Sequence, residues 1–222
     1  MFEDSMIIQN DLDDLIEITS KIGNVLDSPG YGGNVSVKTL DGLYIKASGT
    51  ALREPFQIIH ENDSRKASLE IGMHKNSKFK YVLHYHPIYI IPIISGALLD
   101  RFSKYNPKIV EYRTPGADLS DCTVGDNKLI FLKNHGVVVQ SDSASECSEI
   151  IDDLAEYKPK IKYFYCPDDF VMKDNPEQIL ANAYISLFIK SSNLELDTLG
   201  TEQCNKLLTP DEVYRQNLKR TK

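Results

Sequence analysis

No two of the four cysteines form a Cys-x-x-Cys pair; Cys122, Cys147, Cys166 and Cys204 stand far apart. That spacing offers neither a zinc knuckle nor the disulfide frame of a small secreted domain, and it reads as reduced, mostly structural thiols. Long hydrophobic runs are also missing. The longest, 88–99, is broken by Pro92, Ser95 and Gly96 and is too short to span a bilayer. The opening residues Met1-Phe2-Glu3-Asp4 are acidic where a secretory signal would be basic, so a cytoplasmic protein with no membrane partner is expected. Positive charge is in deficit. The formal net charge of −7 argues against a nucleic-acid partner, because an acidic chain lacks the field that draws phosphate backbones. A local basic pocket for one phosphate is compatible with that total.

What is present is an ordinary globular composition. With 41% hydrophobic and 26% charged residues the chain can bury a normal core, and its 222 residues are read as a single domain, 1–222. Apolar residues at Leu12, Leu15, Ile16 and Ile22 predict a helix over 11–22, ended by Gly23. A loop with glycines at 30, 32 and 33 follows, then a strand at 35–38, the turn signal Asp41-Gly42 and a return strand at 43–46. A helix is expected over 68–75 behind a serine cap. A strand is expected at 81–86, closed by Pro87, and then short buried helical turns through 88–99. Strands at 129–132 and 137–139 flank Lys133-Asn134-His135-Gly136, and helices are expected at 143–157, 176–190 and from Thr209-Pro210 onwards. Strands with hairpin signals mixed with helices suit an α/β or α+β sandwich better than a doubly wound sheet.

His84-Tyr85-His86 is the most informative tripeptide. On a strand, residues two apart share a face, so both imidazoles can reach one ion while Tyr85 packs on the other side. The pair alone is equally compatible with two half-buried strand histidines. His135 adds a third imidazole in a tight Asn-His-Gly turn, and three neutral imidazoles with an open fourth position make a catalytic zinc pattern. Other His-x-His folds fit less well. A cupin-like site wants a nearby downstream acid, and none follows His86 until Asp100; a metallo-β-lactamase-like site would continue with an aspartate where Pro87-Ile88 stands. His60, in the polar stretch 59–63, reads as a solvated loop histidine. Glu70 taken alone reads as a helix-start acid or as a partner for His74 one turn on.

Five strings occur in order: Gly33-Asn34-Val35-Ser36-Val37, Lys46-Ala47-Ser48-Gly49-Thr50, Ser68-Leu69-Glu70 with Met73-His74, His84-Tyr85-His86-Pro87 and Asn134-His135-Gly136. Together they resemble the class II aldolase/adducin family over about 10–157. The branch is similar to rhamnulose-phosphate and fuculose-phosphate aldolases; Thr114-Pro115-Gly116 and 208–211 resemble it less specifically.

The resemblance implies a three-layer α/β/α sandwich with a central, mostly antiparallel sheet. It implies Zn2+, or another divalent metal such as Mn2+, Co2+ or Fe2+, on His84, His86 and His135, with Glu70 as the catalytic residue. Gly33, Asn34, Ser48, Gly49 and Ser68 correspond to positions that bind the substrate's phosphate. Homotetramers are usual in the family. The expected activity is cleavage of a small ketose phosphate. The rival readings are a sugar-phosphate 4-epimerase or dehydratase on the same metal site, and a non-catalytic adducin-like interaction protein. One departure stands out: several family aldolases place two serines before the glutamate, and here Leu69 takes the second place. Lys66 or Arg65 could compensate. Lys46 could add charge near an anion, although strand lysines commonly face outward. Tyr105 and Tyr112 are candidates for an acid on the aldehyde side.

Overall fold

The computed structural model describes residues 2–157 apart from 55, 56, 92, 93 and 95. Cys166, Cys204 and the helices expected at 176–190 and from 209 lie outside the described residues.

Helix α1 spans Phe2–Ile22, starting well before the expected boundary, with Glu3 and Asp4 in its first turn and Lys21 in its last, both favourable to the helix dipole. Leu15, Ile18 and Ile22 are its buried stripe. Ile18 faces the core where Ile16 was expected to; Ile16 is an exposed hydrophobic. Strands β1 (Asn34–Thr39) and β2 (Gly42–Lys46) form the hairpin that Asp41-Gly42 announces. Strand β3 (Ile58–His60) pairs with β2 at the sheet edge, so His60 belongs to a strand and not to a loop. Its ring packs edge-on against Tyr44.

Helix α2 covers only Ile71–Asn76, with Glu70 at its N-cap and no side-chain cap. Ser68 does not start the helix. Its hydroxyl accepts the Glu70 backbone N–H (3.3 Å) in a turn that precedes it. Strand β4 is Tyr81–Tyr85. After it, the Pro87 carbonyl accepts N–H groups from Ile90 and Ile91, giving the expected buried turns, and α3 follows at Gly96–Arg101. Strand β5 (Lys108–Val110), β6 (Leu129–Leu132) and β7 (Gly136–Ser141) complete the sheet. Helix α4 (Ala144–Ala155) closes the described chain, capped by Ser143.

The seven strands run in the order β3-β2-β1-β4-β7-β6-β5. Every pairing is antiparallel except β5 with β6. Period-two alternation divides the side chains between two layers. Val35 and Val37 of β1, Tyr81, Leu83 and Tyr85 of β4, and Val137 and Val139 of β7 pack with Leu15, Ile18, Ile150 and Leu154 under α1 and α4. On the opposite face Val82, Ile130, Leu132 and Val138 pack with Met73 of α2 and with Leu119 and Cys122. Each fully buried Leu or Ile of these layers contributes about 1.5–3 kcal/mol relative to leaving it in water. The result is the expected α/β/α sandwich around a mostly antiparallel sheet. No helix among the described residues is long and apolar enough to cross a membrane.

Candidate metal centre and active site

The centre lies on the α2 face of the sheet, where β1, β4 and β7 are neighbours. His84 points there from near the end of β4, and Tyr85 points away into the α1 layer, as the strand alternation requires. His86 follows directly after the strand. His135 reaches in from the turn before β7, where Asn134 takes a left-handed conformation (φ 53°) that asparagine tolerates better than most residues. Gly136 must be glycine: a Cβ there would collide with the Tyr85 carbonyl oxygen and come within 2.9 Å of His86 Cδ2. Gly33 is needed for both reasons at once. Its φ is +73°, and a Cβ would lie 2.7 Å from the His84 carbonyl oxygen.

The three imidazoles meet. His84 Nε2 lies 3.2 Å from His135 Nε2 and 3.1 Å from His86 Nε2, and all three rings are buried. His84 Nδ1 sits 3.0 Å from the Val137 carbonyl oxygen. A carbonyl can only accept, so Nδ1 carries the proton and the Nε2 lone pair faces the other two rings. Burial pushes the His84 pKa down to about 4, against the opposing pull of the Glu70 carboxylate, so the ring is neutral near pH 7. Three close ring nitrogens, one with its lone pair turned inward, form a donor set that fits a single divalent ion in a site of tetrahedral type.

Glu70 stands over this cluster. Its Oε2 is 3.5 Å from His84 Nε2 and its Oε1 is 3.6 Å from His135 Nε2. Asn34 Nδ2 donates to Oε2 at 2.6 Å. Glu70 does not bond His74 directly, contrary to the simple one-turn pairing. The two are joined through Asn34, whose carbonyl oxygen meets His74 Nε2. His74 Nδ1 in turn lies 2.6 Å from Ser36 Oγ. Burial, with smaller effects from the charges of His84 and Lys38, pushes the His74 pKa down to about 3.

A cleft opens beside Glu70. Its walls hold Gly33, Asn34, Ser48, Gly49 and Ser68, together with Tyr31, Lys46, Leu69 and Pro115. The loops meet because the backbone N–H of Ser48 donates to the Lys66 carbonyl (2.8 Å) and that of Ser68 to the Lys46 carbonyl (3.2 Å). Lys46 does not face outward. It is 4% exposed, and its ammonium donates to the carbonyls of Thr50 (2.6 Å) and Tyr31 (3.3 Å). Arg65 is exposed and paired with Asp63 at 3.1 Å, and Lys66 is exposed as well; the cleft walls named above include neither. Tyr105 is on the wrong side of the sheet, with its hydroxyl donating to Glu149 (3.0 Å) and Asp153 (2.7 Å) of α4. Tyr112 follows β5, half-buried. Sequence reasoning passed over Tyr31 and Pro115 as cleft residues; the Thr114-Pro115-Gly116 string was the available signal for the second.

The fold has known counterparts. It superposes on the N-terminal class II aldolase domain of a conserved protein from Thermoplasma acidophilum with a TM-score of 0.53 and 22% identity, over 67% of this chain and 94% of that one. L-fuculose-1-phosphate aldolase from Thermus thermophilus matches with a TM-score of 0.52 and 17% identity, over 66% of this chain and 90% of its own. YgbL of Klebsiella pneumoniae carries only the provisional label aldolase/epimerase/decarboxylase. It matches with a TM-score of 0.53 and 18% identity, over 90% of this chain and 98% of its own. No curated protein matches significantly by sequence. The model of the class II aldolase and adducin N-terminal domain matches residues 14–157, and the chain is therefore a member of the class II aldolase/adducin family.

Proposed function

We propose that this protein is a divalent-metal-dependent aldolase that cleaves a small ketose phosphate. The observation that carries the reading is the position of Glu70. Its carboxylate lies within 3.6 Å of two of the three clustered imidazoles and also lines the cleft that contains Ser48 and Ser68. An adducin-like interaction protein has no need of such an arrangement.

His84, His86 and His135 would hold the metal, with Zn2+ the first candidate and Mn2+, Co2+ or Fe2+ acceptable to the same imidazoles. A divalent ion there supplies Lewis-acid stabilisation of the negative charge that carbon–carbon cleavage leaves on the ketone fragment. The chain's own residues do the rest. Glu70, a carboxylate beside the cluster, gives or takes the proton at the carbon whose bond is made or broken. Asn34 holds one Glu70 oxygen in place. Ser48, Ser68 and the backbone N–H groups around Gly33 and Gly49 provide short donors for a phosphate. The buried Lys46 ammonium adds positive charge to that wall. Leu69 supplies no donor, so phosphate binding rests on fewer hydroxyls than in relatives with paired serines.

A single domain over 1–222 and a homotetrameric assembly are part of the same proposal. The test is a panel of ketose 1-phosphates, L-fuculose 1-phosphate among them, incubated with metal-loaded protein and followed by NMR. Appearance of an aldehyde with dihydroxyacetone phosphate is the expected result. Inversion at a carbon, or loss of water, would instead assign the site to a 4-epimerase or a dehydratase. No turnover across the panel would count against an enzyme of this class.

A further inference from the structure

His74 is fully buried on α2, outside the cleft and outside the histidine cluster, and nothing in the chemistry above uses it. It is nonetheless tied to Glu70 by an unbroken row of hydrogen-bonding groups: Ser36 Oγ, both His74 ring nitrogens, both ends of the Asn34 amide, and Glu70 Oε2. The direction of every bond in the row follows from its last member. A carboxylate only accepts, so the Asn34 group facing Glu70 is the NH2. The Asn34 oxygen then faces His74, whose Nε2 must carry a hydrogen. A neutral imidazole has one N–H, so Nδ1 is left as an acceptor, and the Ser36 hydroxyl donates to it.

We propose that His74 is a positioning residue for Glu70: its Nε2–H, bound to the Asn34 carbonyl oxygen, fixes the Asn34 amide so that its NH2 end holds the Glu70 carboxylate. The two ends of an asparagine amide are nearly the same size, and packing alone does not choose between them. Reversed, the amide would turn its carbonyl oxygen on a carboxylate, two acceptors in a buried place. Asn34 also lines the cleft, where an arriving anion competes for the same NH2 group. The imidazole behind it keeps the carbonyl end engaged. The Ser36 hydroxyl satisfies Nδ1 in turn, and with the Asn34 oxygen facing Nε2 only the Nε2–H tautomer leaves no buried polar atom facing its own kind. The inference rests on the reading of Glu70 as the proton-transfer group, and it makes His74 act only through Asn34.

The tautomer is tested first, since it needs neither substrate nor a variant. Long-range 1H–15N correlation spectra of the full-length protein, with and without added Zn2+, are expected to show His74 protonated at Nε2 and bare at Nδ1. An Nδ1–H ring would overturn the proposal. Kinetics on the substrate that Glu70→Gln fails to turn over supply the second arm. His74→Leu is expected to lower kcat by about 10–100-fold, with KM and metal content little changed. His74→Gln, which keeps an N–H near the Nε2 position, is expected to restore most of the loss. Equal damage in both variants, an unaltered kcat in His74→Leu, or a change confined to KM would each overturn it. If His74→Leu does not fold, Ser36→Ala replaces it, with a smaller fall in kcat expected and the Nε2–H tautomer kept, because the Asn34 side-chain oxygen still requires it; an unaltered kcat or an Nδ1–H ring would overturn the proposal. Full activity in Glu70→Gln would sink the catalytic reading of Glu70 separately, leaving the tautomer measurement to stand or fall by itself.

Discussion

Asn34 and His84 sit directly opposite one another on the paired strands β1 and β4. The amide that holds Glu70 and the imidazole at the centre of the histidine cluster are thus fixed to each other by backbone register. A one-residue slip of β1 would turn Asn34 and Ser36 into the α1 layer and bring Val35 to the site.

Metal should bind stoichiometrically. Elemental mass spectrometry on protein purified without chelator or histidine tag is expected to find about one divalent ion per chain. His84→Ala and His135→Ala should each lose most of it. Equal metal in wild type and both variants would place the ion elsewhere.

Glu70→Gln separates chemistry from metal binding. The amide has nearly the shape of the carboxylate but cannot act as a base. Metal content is expected to stay near the wild-type level while kcat falls by about 10²–10⁴-fold. A variant that keeps its rate would remove Glu70 from the reaction.

Gly136→Ala is expected to damage fold and metal site together. The added methyl would meet the Tyr85 carbonyl oxygen and crowd His86. Overpacking of this kind costs about 1–3 kcal/mol, read as a lower midpoint in urea, with weaker metal retention. A wild-type midpoint would mean that the turn before β7 relaxes freely.

Ser143→Ala is a control at a distance from the site. The Ser143 hydroxyl accepts the Glu146 backbone N–H at the start of α4, and loss of such a cap costs about 1 kcal/mol. Urea unfolding should show that loss, with kcat unchanged.

Acid should destabilise the protein in a way that His74 reports. Its ordinary pKa is 6.5, and burial in the fold holds it down to about 3. Between those values the unfolded chain binds a proton that the folded chain does not. Stability from this group is therefore complete above about pH 6.5 and is lost as pH falls towards 3. One such histidine gives a slope of up to roughly 1.4 kcal/mol per pH unit. Urea unfolding at about pH 7, 6 and 5 should show a steeper loss in wild type than in His74→Gln. Parallel losses would mean that the folded protein already accommodates a charged ring.

The histidine cluster was legible because its rules are local. A period of two puts His84 and His86 on one face, and a glycine-punctuated turn marks His135. The Asp41-Gly42 hairpin was legible for the same reason. Strands β3 and β5 were not: three residues each carry no periodicity, and β5 exists through a parallel pairing with β6. Lys46 was misplaced because its burial is set by carbonyls of two loops, Tyr31 and Thr50, that fold back over it. The start of α2 was anticipated at Ser68 because a serine suits both a cap and a tight turn, and here the turn won. Glu70 needed the family resemblance, since by spacing alone it is an acid at a helix start.

The central β1–β4–β7 ladder also governs when the site can come into being during folding. Asn34, Glu70, His84 and His135 arrive from across a hundred positions of chain, and only the closing of long loops brings them together. Contacts so distant in sequence form slowly and late. His84 and His86 alone would offer an ion two ligands, so firm capture of metal would wait for the β4–β7 pairing that delivers His135. The rate of metal uptake by refolding protein would then be a clock for completion of the sheet.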